Sequence, residues 1–226
     1  MQLDTGYYFE RLYPFQNRVL DLVNALDTAF YLSGGTAASR GYLQHRFSDD
    51  LDFFVNDDLR FNLWAARVIE RLAREEDCRL GVLLQEERFV RLTLSTEAVL
   101  LKLEFINDVP ARVGTIVQHP LLGRLDSPEN ILANKITALI DREEPKDLAD
   151  IWGFCCQKGL SLEDALTGAQ SKAAGVFPAD LARLLLSATP DNWEQVRWIE
   201  APPVEKFLAD LQALGEALIL LDEFES

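Results

Sequence analysis

The stretch "YLSGGTAASRGYLQHRFSDDLDFF", residues 31–54, constrains the fold more than any other part of this chain. The apolar segment "AFYLS" predicts a short strand that leads into two consecutive glycines, Gly34 and Gly35. A helix is predicted over residues 36–45, and the apolar run in "DLDFFV" predicts a second strand. The chain is therefore expected to turn sharply between a strand and a helix, just ahead of a cluster of acids.

Two of these acids, Asp50 and Asp52, flank Leu51 in the second predicted strand. Alternate residues of a strand point to the same side, so the two carboxylates project together while Leu51 and Phe53 face a core. Neighbouring carboxylates repel each other unless a cation or hydrogen bonds offset the repulsion. Magnesium takes hard oxygen ligands and bridges triphosphate oxygens. We therefore predict that Asp50 and Asp52 bind Mg²⁺ in a phosphoryl-transfer site.

The glycine turn predicts the other half of such a site. The backbone N–H groups of Gly34 and Gly35, with the helix that starts at Thr36, can hold a phosphate, and the hydroxyls of Ser33 and Thr36 add further polar groups. A Gly-Gly-Thr sequence alone is more often only a turn, and an Asp-x-Asp pair alone is common on protein surfaces. The succession of strand, glycine turn, helix and acidic strand favours a triphosphate site beside a metal-binding pair.

A third acid, Glu104, lies in the strand-like run "LLKLEF". Strand periodicity puts Lys102, Glu104 and Ile106 on one face. Glu104 can be read as a third catalytic acid or as an ordinary exposed strand residue, and its position in the sequence alone leaves both interpretations open.

The remaining pattern divides the chain into two halves. The first half carries two predicted helices and three further predicted strands, at residues 7–27 and 60–76 and at residues 79–86, 88–95 and 98–106. From Ser127, a typical helix N-cap followed by Pro128, the pattern is helical, and Ser161 predicts another N-cap. We predict an α+β fold, with a mixed β-sheet flanked by helices over residues 1–126 and a helical bundle over residues 127–226.

The charge distribution bears on possible partners. The net charge of −15 is divided into −5 for residues 1–126 and −10 for residues 127–226. Nonspecific nucleic-acid binding depends on cationic surface, so the C-terminal half is poorly suited to grip a polynucleotide.

The sequence also bears on the cellular compartment. No apolar run approaches the roughly 20 residues of a membrane span, and the N-terminus lacks the layout of a signal peptide. The three cysteines have no metal-ligand spacing and make no even disulfide set. We expect a cytoplasmic protein with reduced thiols and no membrane association.

Two segments of the chain resemble motifs of a known family. Residues 31–54 resemble the first motif of the AbiEii/AbiGii nucleotidyltransferase toxins, within the DNA polymerase beta-like nucleotidyltransferase superfamily. The segment "ENILANKITALIDREEPKDLADIW", residues 129–152, resembles that family's later signature, a helical lysine followed by a basic residue, Asp, two residues and Asp. The resemblance implies a nucleotidyltransferase fold whose helical domain completes the active-site cleft, and a Mg²⁺-dependent enzyme that transfers an NMP from an NTP.

The resemblance also implies a role for each matched residue. The phosphates would be held by Gly34, Gly35 and Thr36 beside Ser33, and Mg²⁺ by Asp50 and Asp52 with Glu104 as the third acid; Lys135 would reach the triphosphate, and Asp147 would orient it or complete the pocket. The short "REEP" segment allows the helices of Lys135 and Asp147 to fold back on each other. The alternative for Lys135 is a surface lysine whose stem lies along an apolar helix face.

The implied partners are an NTP, a macromolecular acceptor (tRNA or protein) and a cognate antitoxin. Where such a toxin modifies tRNA, a basic groove is expected near the acceptor end, and no such groove is evident in this sequence with its acidic C-terminal half. The alternative function is a catalytically inactive nucleotide-binding or partner-binding protein on the same fold. The three acids favour the enzyme, because a protein without catalysis has no reason to keep carboxylates that repel each other.

Overall fold

The computed structural model describes residues 5–225 of the chain, with side chains described over residues 5–220. These residues form two compact units that interleave in sequence. The first unit comprises the chain through Ala37 together with Ser48–Pro110 and Thr115–Asp126. The second comprises Ala38–Phe47, Ala111–Gly114 and the chain from Ser127 onward. The fold class is α+β, as predicted.

The first unit is built on a mixed seven-stranded sheet with the strand order β3-β4-β5-β2-β1-β7-β6. Strand β2 pairs in parallel with β5 and antiparallel with β1, and β1 pairs in parallel with β7. The strands are β1 (Tyr31–Ser33), β2 (Leu51–Asn56), β3 (Arg79–Gln85), β4 (Phe89–Ser95), β5 (Leu100–Asp108), β6 (Val117–His119) and β7 (Gly123–Leu125).

One face of this sheet forms an aromatic core. Residues of β2 alternate between buried and part-exposed, with Phe53 buried. The Phe53 and Phe105 rings stack with centroids 5.0 Å apart, and Phe30 meets Phe105 edge-on, also at 5.0 Å. Phe61 and Trp64 from the helix that covers this face pack on Phe30 at 5.9 and 6.0 Å. Because Phe53 faces this core, the acid beside it in β2 is left on the opposite face.

The three strands predicted at residues 79–86, 88–95 and 98–106 are confirmed as β3, β4 and β5 within two residues at each end. The sequence analysis missed β6 and β7, which are three residues each. Such short segments carry no readable alternation. Strand β7 exists because Leu125 pairs with Leu32, far away in the sequence.

The helices predicted in the first half are present, but their ends differ from the predicted bounds. The first runs through α1 (Thr5–Tyr7), a π-helical segment (Tyr8–Leu12) and α2 (Tyr13–Asn24), so it ends three residues before the predicted end at residue 27. Helix α4 (Phe61–Leu72) is shorter than the predicted 60–76. The glycines do not precede a helix that starts at Thr36, because α3 (Gly34–Thr36) begins with them and continues in π geometry over Ala37–Leu43.

The second unit is helical from Ser127 onward. Its helices are α5 (Pro128–Arg142), α6 (Pro145–Trp152), α7 (Leu162–Lys172), α8 (Pro178–Leu186), α9 (Pro190–Gln195) and α10 (Val204–Glu225), with a π-helical extension of α6 over Gly153–Gln157. The predicted N-caps are confirmed, since the Ser127 side chain accepts from the Asn130 N–H and the Ser161 side chain from the Asp164 N–H. Within the described residues, no helix is long and apolar enough to cross a membrane.

Candidate active site

A row of polar residues crosses the first unit's sheet on the face opposite the aromatic core. Ser33 of β1 pairs in register with Asp52 of β2, Asp52 with Glu104 of β5, and Glu104 with Arg91 of β4. Paired residues of neighbouring strands point to the same side and lie about 5 Å apart. The sheet therefore brings Asp52 and Glu104, which are far apart in sequence, side by side.

The glycine turn closes directly on the acid of β2. Gly34 has a φ of +67°, in the left-handed region that favours glycine. A Cβ added at Gly34 would lie 2.2 Å from the Asp52 Oδ2 atom, which is closer than any carbon can approach. A glycine is thus required at position 34 for two reasons: its backbone conformation, and the carboxylate that packs against its Cα.

The hydroxyls on either side of the glycines hold the turn in place. Thr36 Oγ1 donates to the Asp50 carbonyl oxygen and lies 3.0 Å from the Ser48 hydroxyl. Ser33 Oγ donates to Asp126 Oδ2 at 2.7 Å. Ser33, Thr36 and Asp126 are fully buried. These hydroxyls therefore fix the backbone, and the groups of this turn best suited to meet a phosphate are its N–H groups.

Two basic side chains balance the acids of this face. Lys102 Nζ lies 2.8 Å from Asp50 Oδ2 and 3.3 Å from Glu104 Oε1, and Arg91 Nε donates to the same Glu104 oxygen at 2.8 Å. Burial acts to lower the pKa of Lys102, but the Asp50 and Glu104 carboxylates outweigh it and raise the pKa above its ordinary value. Lys102 therefore stays protonated and lies between two of the three predicted metal ligands.

The donor set of this face suits a hard divalent cation. Asp50, Asp52 and Glu104 supply carboxylate oxygens, which Mg²⁺ prefers, and Asp50 and Asp52 are partly exposed to solvent. In the arrangement described for residues 5–220, no group of three or more His, Cys, Asp or Glu side chains is spaced to hold a metal ion. The Lys102 ammonium is a positive charge between Asp50 and Glu104, so these acids already attract a cation.

The second unit gathers the other two predicted residues. Lys135 Nζ on α5 lies 2.8 Å from Asp147 Oδ1 and 2.8 Å from Asp150 Oδ2, both on α6. Lys135 is only 5% exposed, so the alternative of a surface lysine is wrong. Burial acts to lower the pKa of Lys135, but the carboxylates of Asp150 and Asp147 raise it above its ordinary value. The ammonium is fully charged and shared between two buried carboxylates.

Further charges complete this cluster, and the sequence analysis assigned none of them a role in it. Arg46 donates to both carboxylate oxygens of Asp150 at 2.7 Å, and His45 Nε2 lies 2.9 Å from Asp150 Oδ1. Arg142 donates to both oxygens of Asp147, at 2.8 and 3.0 Å. The available signal was the i, i+3 spacing of "DLAD", which puts two acids on one helix face.

The environment of the cluster also shifts the pKa values of two of its own residues. Burial acts to raise the pKa of Asp150, but Arg46, Lys135 and His45 outweigh it and hold the pKa well below its ordinary range. Burial lowers the pKa of His45, and its contact with Asp150 only partly opposes that effect. At neutral pH, Asp150 is therefore ionised and His45 is neutral.

The predicted site residues thus form two groups, one in each unit. Ser33, Gly34, Gly35, Thr36, Asp50, Asp52 and Glu104 belong to the first unit, and Lys135 and Asp147 to the second. Their roles toward a nucleotide and a metal stay predictions.

Comparison with known proteins gives a family and a fold. The model of the AbiEii family, described as nucleotidyl transferase AbiEii toxin of a type IV toxin–antitoxin system, matches residues 20–210. Comparison with curated protein sequences gave no significant match.

Three solved structures are similar in fold. One is a Helicobacter pylori protein proposed to be a nucleotidyltransferase, with a TM-score of 0.64, 19% identity, and 100% of this chain and 99% of that chain covered. Another is JHP933 from Helicobacter pylori, with a TM-score of 0.63 and 20% identity, and with 100% of this chain and 96% of that chain covered. The third is MenT4, a nucleotidyltransferase toxin from Mycobacterium tuberculosis, with a TM-score of 0.63 and 17% identity, and with 92% of this chain and 82% of that chain covered.

Proposed function

The chain belongs to the AbiEii nucleotidyltransferase toxin family, and from this premise we propose that it is a Mg²⁺-dependent enzyme that transfers an NMP from an NTP to a tRNA or a protein. The proposal includes a cognate antitoxin as partner, since the family is described as part of a toxin–antitoxin system. It also includes a helical domain over residues 127–226 that completes the active-site cleft of a domain over residues 1–126. A cytoplasmic location accords with such a substrate.

One observation supports this function above the others. The Ser33–Asp52–Glu104 register places two carboxylates side by side on one sheet face, and Gly34 packs directly on one of them. A phosphate held by N–H groups of the glycine turn would lie next to the acids that bind its counter-ion. Asp50 and Asp52 would hold Mg²⁺, with Glu104 as a further ligand. When bound, Mg²⁺ neutralises the charge of the triphosphate.

The chain's own residues then have separable tasks in the transfer. The oxygen of the acceptor hydroxyl forms a bond to the α-phosphorus while the bond from that phosphorus to the β-phosphate oxygen breaks, and pyrophosphate leaves. Glu104 takes the proton of the acceptor hydroxyl as general base. Lys135 supplies a positive charge to the triphosphate. Asp147 orients Lys135, from which it accepts a hydrogen bond at 2.8 Å.

The direct test is transfer of label. The purified protein is incubated with each α-³²P-labelled NTP and Mg²⁺, with total tRNA in one series and cell lysate depleted of nucleic acid in another. We expect label on one macromolecular pool, none of it in EDTA, and none of it with Asp52→Asn. Asp57→Asn is the matched control, because Asp57 is an exposed acid of the same unit, paired with Arg88, and should keep full transfer.

The alternative function, a binding protein without catalysis, predicts a different result. The protein would be stabilised thermally by NTP but would label neither pool with any nucleotide. Equal thermal stabilisation by NTP in Mg²⁺ and in EDTA would contradict a metal-bridged triphosphate.

A further inference from the structure

Strand β3 leaves one edge of the sheet open. It is the terminal strand and pairs only with β4, so the N–H and C=O groups on its other side point away from the sheet. The strand has seven residues, Arg79–Gln85, whereas β6 at the opposite end has three. A long open edge is a template for pairing with another strand.

Three consecutive exposed side chains near the middle of β3 are apolar. Val82, Leu83 and Leu84 are 48%, 60% and 38% exposed, in consecutive positions. A bulge between Val82 and Leu84 interrupts pairing with β4. The strand contains neither proline nor lysine, and its one charged residue, Arg79, lies at its end rather than at its middle. Edges that must stay unpaired usually carry such residues or are covered. The composition of β3 therefore favours an edge that is covered by another chain.

The charges at the two ends of this edge are complementary to each other. Arg79 begins β3 and Glu86 follows it, both side chains are exposed, and among the described residues neither has an ion pair. When two copies of the strand pair antiparallel with Val82 opposite Leu83, Arg79 of each copy faces Glu86 of the other. The two-fold symmetry makes this ion pair twice and places the apolar residues together at the centre.

We propose that β3 is a homodimer interface, formed by antiparallel pairing with β3 of a second copy of this chain. A two-fold axis that relates antiparallel strands within one sheet is perpendicular to the sheet, so the Asp52–Glu104 faces of both copies point the same way. Seven strand spacings of about 4.8 Å separate the two Asp52 positions, which gives roughly 34 Å before sheet twist. The charge pattern favours a second copy as the partner, because an identical strand supplies Arg79 and Glu86 at matching ends.

The test is a charge-reversal cycle on the full chain, read by sedimentation equilibrium at several protein concentrations. Wild type is expected to dimerise. Arg79→Glu and Glu86→Arg each replace two attractive pairs by two like-charge pairs, and each should weaken the dimer by about tenfold or more. The double variant R79E/E86R restores opposite charges and should recover wild-type dimerisation.

Two further variants distinguish pairing through β3 from association through another surface. Glu97→Arg makes the same charge change as Glu86→Arg in the turn between β4 and β5, where the side chain is also exposed, and should leave the dimer unchanged. Leu83→Lys should yield a monomer with an unchanged circular dichroism spectrum, since its side chain is 60% exposed in one copy. A wild-type monomer at every concentration would overturn the proposal. So would a dimer that both single reversals leave intact, because its interface would lie elsewhere.

Discussion

At the scale of single residues, the candidate site depends on what is packed against two carboxylates. Gly34 lets the Asp52 carboxylate lie against the backbone, and Lys102 places an ammonium between Asp50 and Glu104. The first contact joins the turn after β1 to β2, and the second joins β5 to the residue just before β2. Each can be altered without touching the acids themselves.

Replacing Gly34 tests the first contact. Gly34→Ala introduces a Cβ 2.2 Å from Asp52 Oδ2 at a φ of +67°. Gly159 is the matched control, because its φ is +71° and a Cβ there would meet nothing within 4 Å. We expect Gly159→Ala to lower the free energy of unfolding by about 1–2 kcal/mol from backbone strain alone, and Gly34→Ala to lower it by at least about 1 kcal/mol more. Urea unfolding measures both, and equal losses would show that Asp52 yields freely.

Removing the charge of Lys102 tests the second contact. Lys102→Met leaves Asp50 and Glu104 without their shared ammonium, so the acids should bind a divalent cation more tightly, by roughly tenfold. Isothermal calorimetry of Mg²⁺ binding without nucleotide measures the change. Arg60→Met removes a similar charge from an exposed pair with Asp58 and should leave the affinity unchanged. Weaker Mg²⁺ binding in the Lys102 variant would contradict a cation site between these acids.

At the scale of elements, α5 and α6 are joined by buried charge. Lys135 on α5 binds both acids of α6, and Arg46 binds Asp150 through two hydrogen bonds. Asp150 is completely buried, so its negative charge is stabilised by these cations and by its contact with His45 rather than by solvent. The loss of one member removes a compensating charge from the buried side chains that contact it.

Replacement of Asp150 should therefore be costly. Asp150→Asn removes the charge that faces Lys135 and Arg46, and the free energy of unfolding should fall by about 3–5 kcal/mol. Glu70→Gln breaks an exposed pair with Arg74 and should change it by less than about 0.5 kcal/mol. Urea denaturation of the two variants makes the comparison. A small loss for Asp150→Asn would mean that water or a rearranged carboxylate replaces the charge.

The same cluster predicts how stability depends on pH. The pKa of His45 is lowered by burial, so below about pH 6.5 the unfolded chain binds a proton that the folded chain does not. Stability should consequently fall as the pH drops from about 6.5, until the folded protein also protonates. His45→Gln should flatten this part of the curve. The free energy of unfolding, measured from pH 7 to pH 5 in both proteins, provides the test, and parallel curves would contradict the assignment.

The same direction applies at lower pH, in a separate pH range. The depressed pKa of Asp150 contributes stability that is present above its unfolded value of about 3.9 and is lost as the pH falls through the folded pKa.

At the scale of the whole molecule, we expect catalysis and nucleotide binding to depend on different residues. Glu104→Gln keeps an oxygen that can accept from Arg91 but cannot take a proton, so NTP binding should stay nearly intact while transfer falls by roughly a hundredfold. Calorimetry and label transfer measure the two effects. Glu97→Gln, an exposed residue of the adjacent turn, should affect neither. Full transfer by Glu104→Gln would reassign the third acid.

Lys135 is expected to behave differently from Glu104. Its removal should weaken NTP binding and also lower stability, because Asp147 and Asp150 would each lose a partner at 2.8 Å.

Features with a local physical cause could be predicted from the amino-acid sequence alone. Alternation in "DLDFFV" predicted β2 and the burial of the Phe53 side chain. Ser127 and Ser161 predicted the two helix N-caps. Two short motifs were sufficient to indicate the family. Contacts that depend on strand order or helix packing could not be predicted in this way. Glu104 reads equally well as a surface residue until β5 pairs in parallel with β2 and sets it beside Asp52.

Which charges are buried, and with which partners, depends on the three-dimensional fold. Lys135 reads as a surface lysine from its helix alone, yet the fold encloses it with Asp147 and Asp150. Arg46 and Asp150 are 104 positions apart, and no pattern in either segment predicts their pairing. The physical reason is that burial and Coulomb energy depend on distance in space, whereas periodicity and capping depend on distance along the chain.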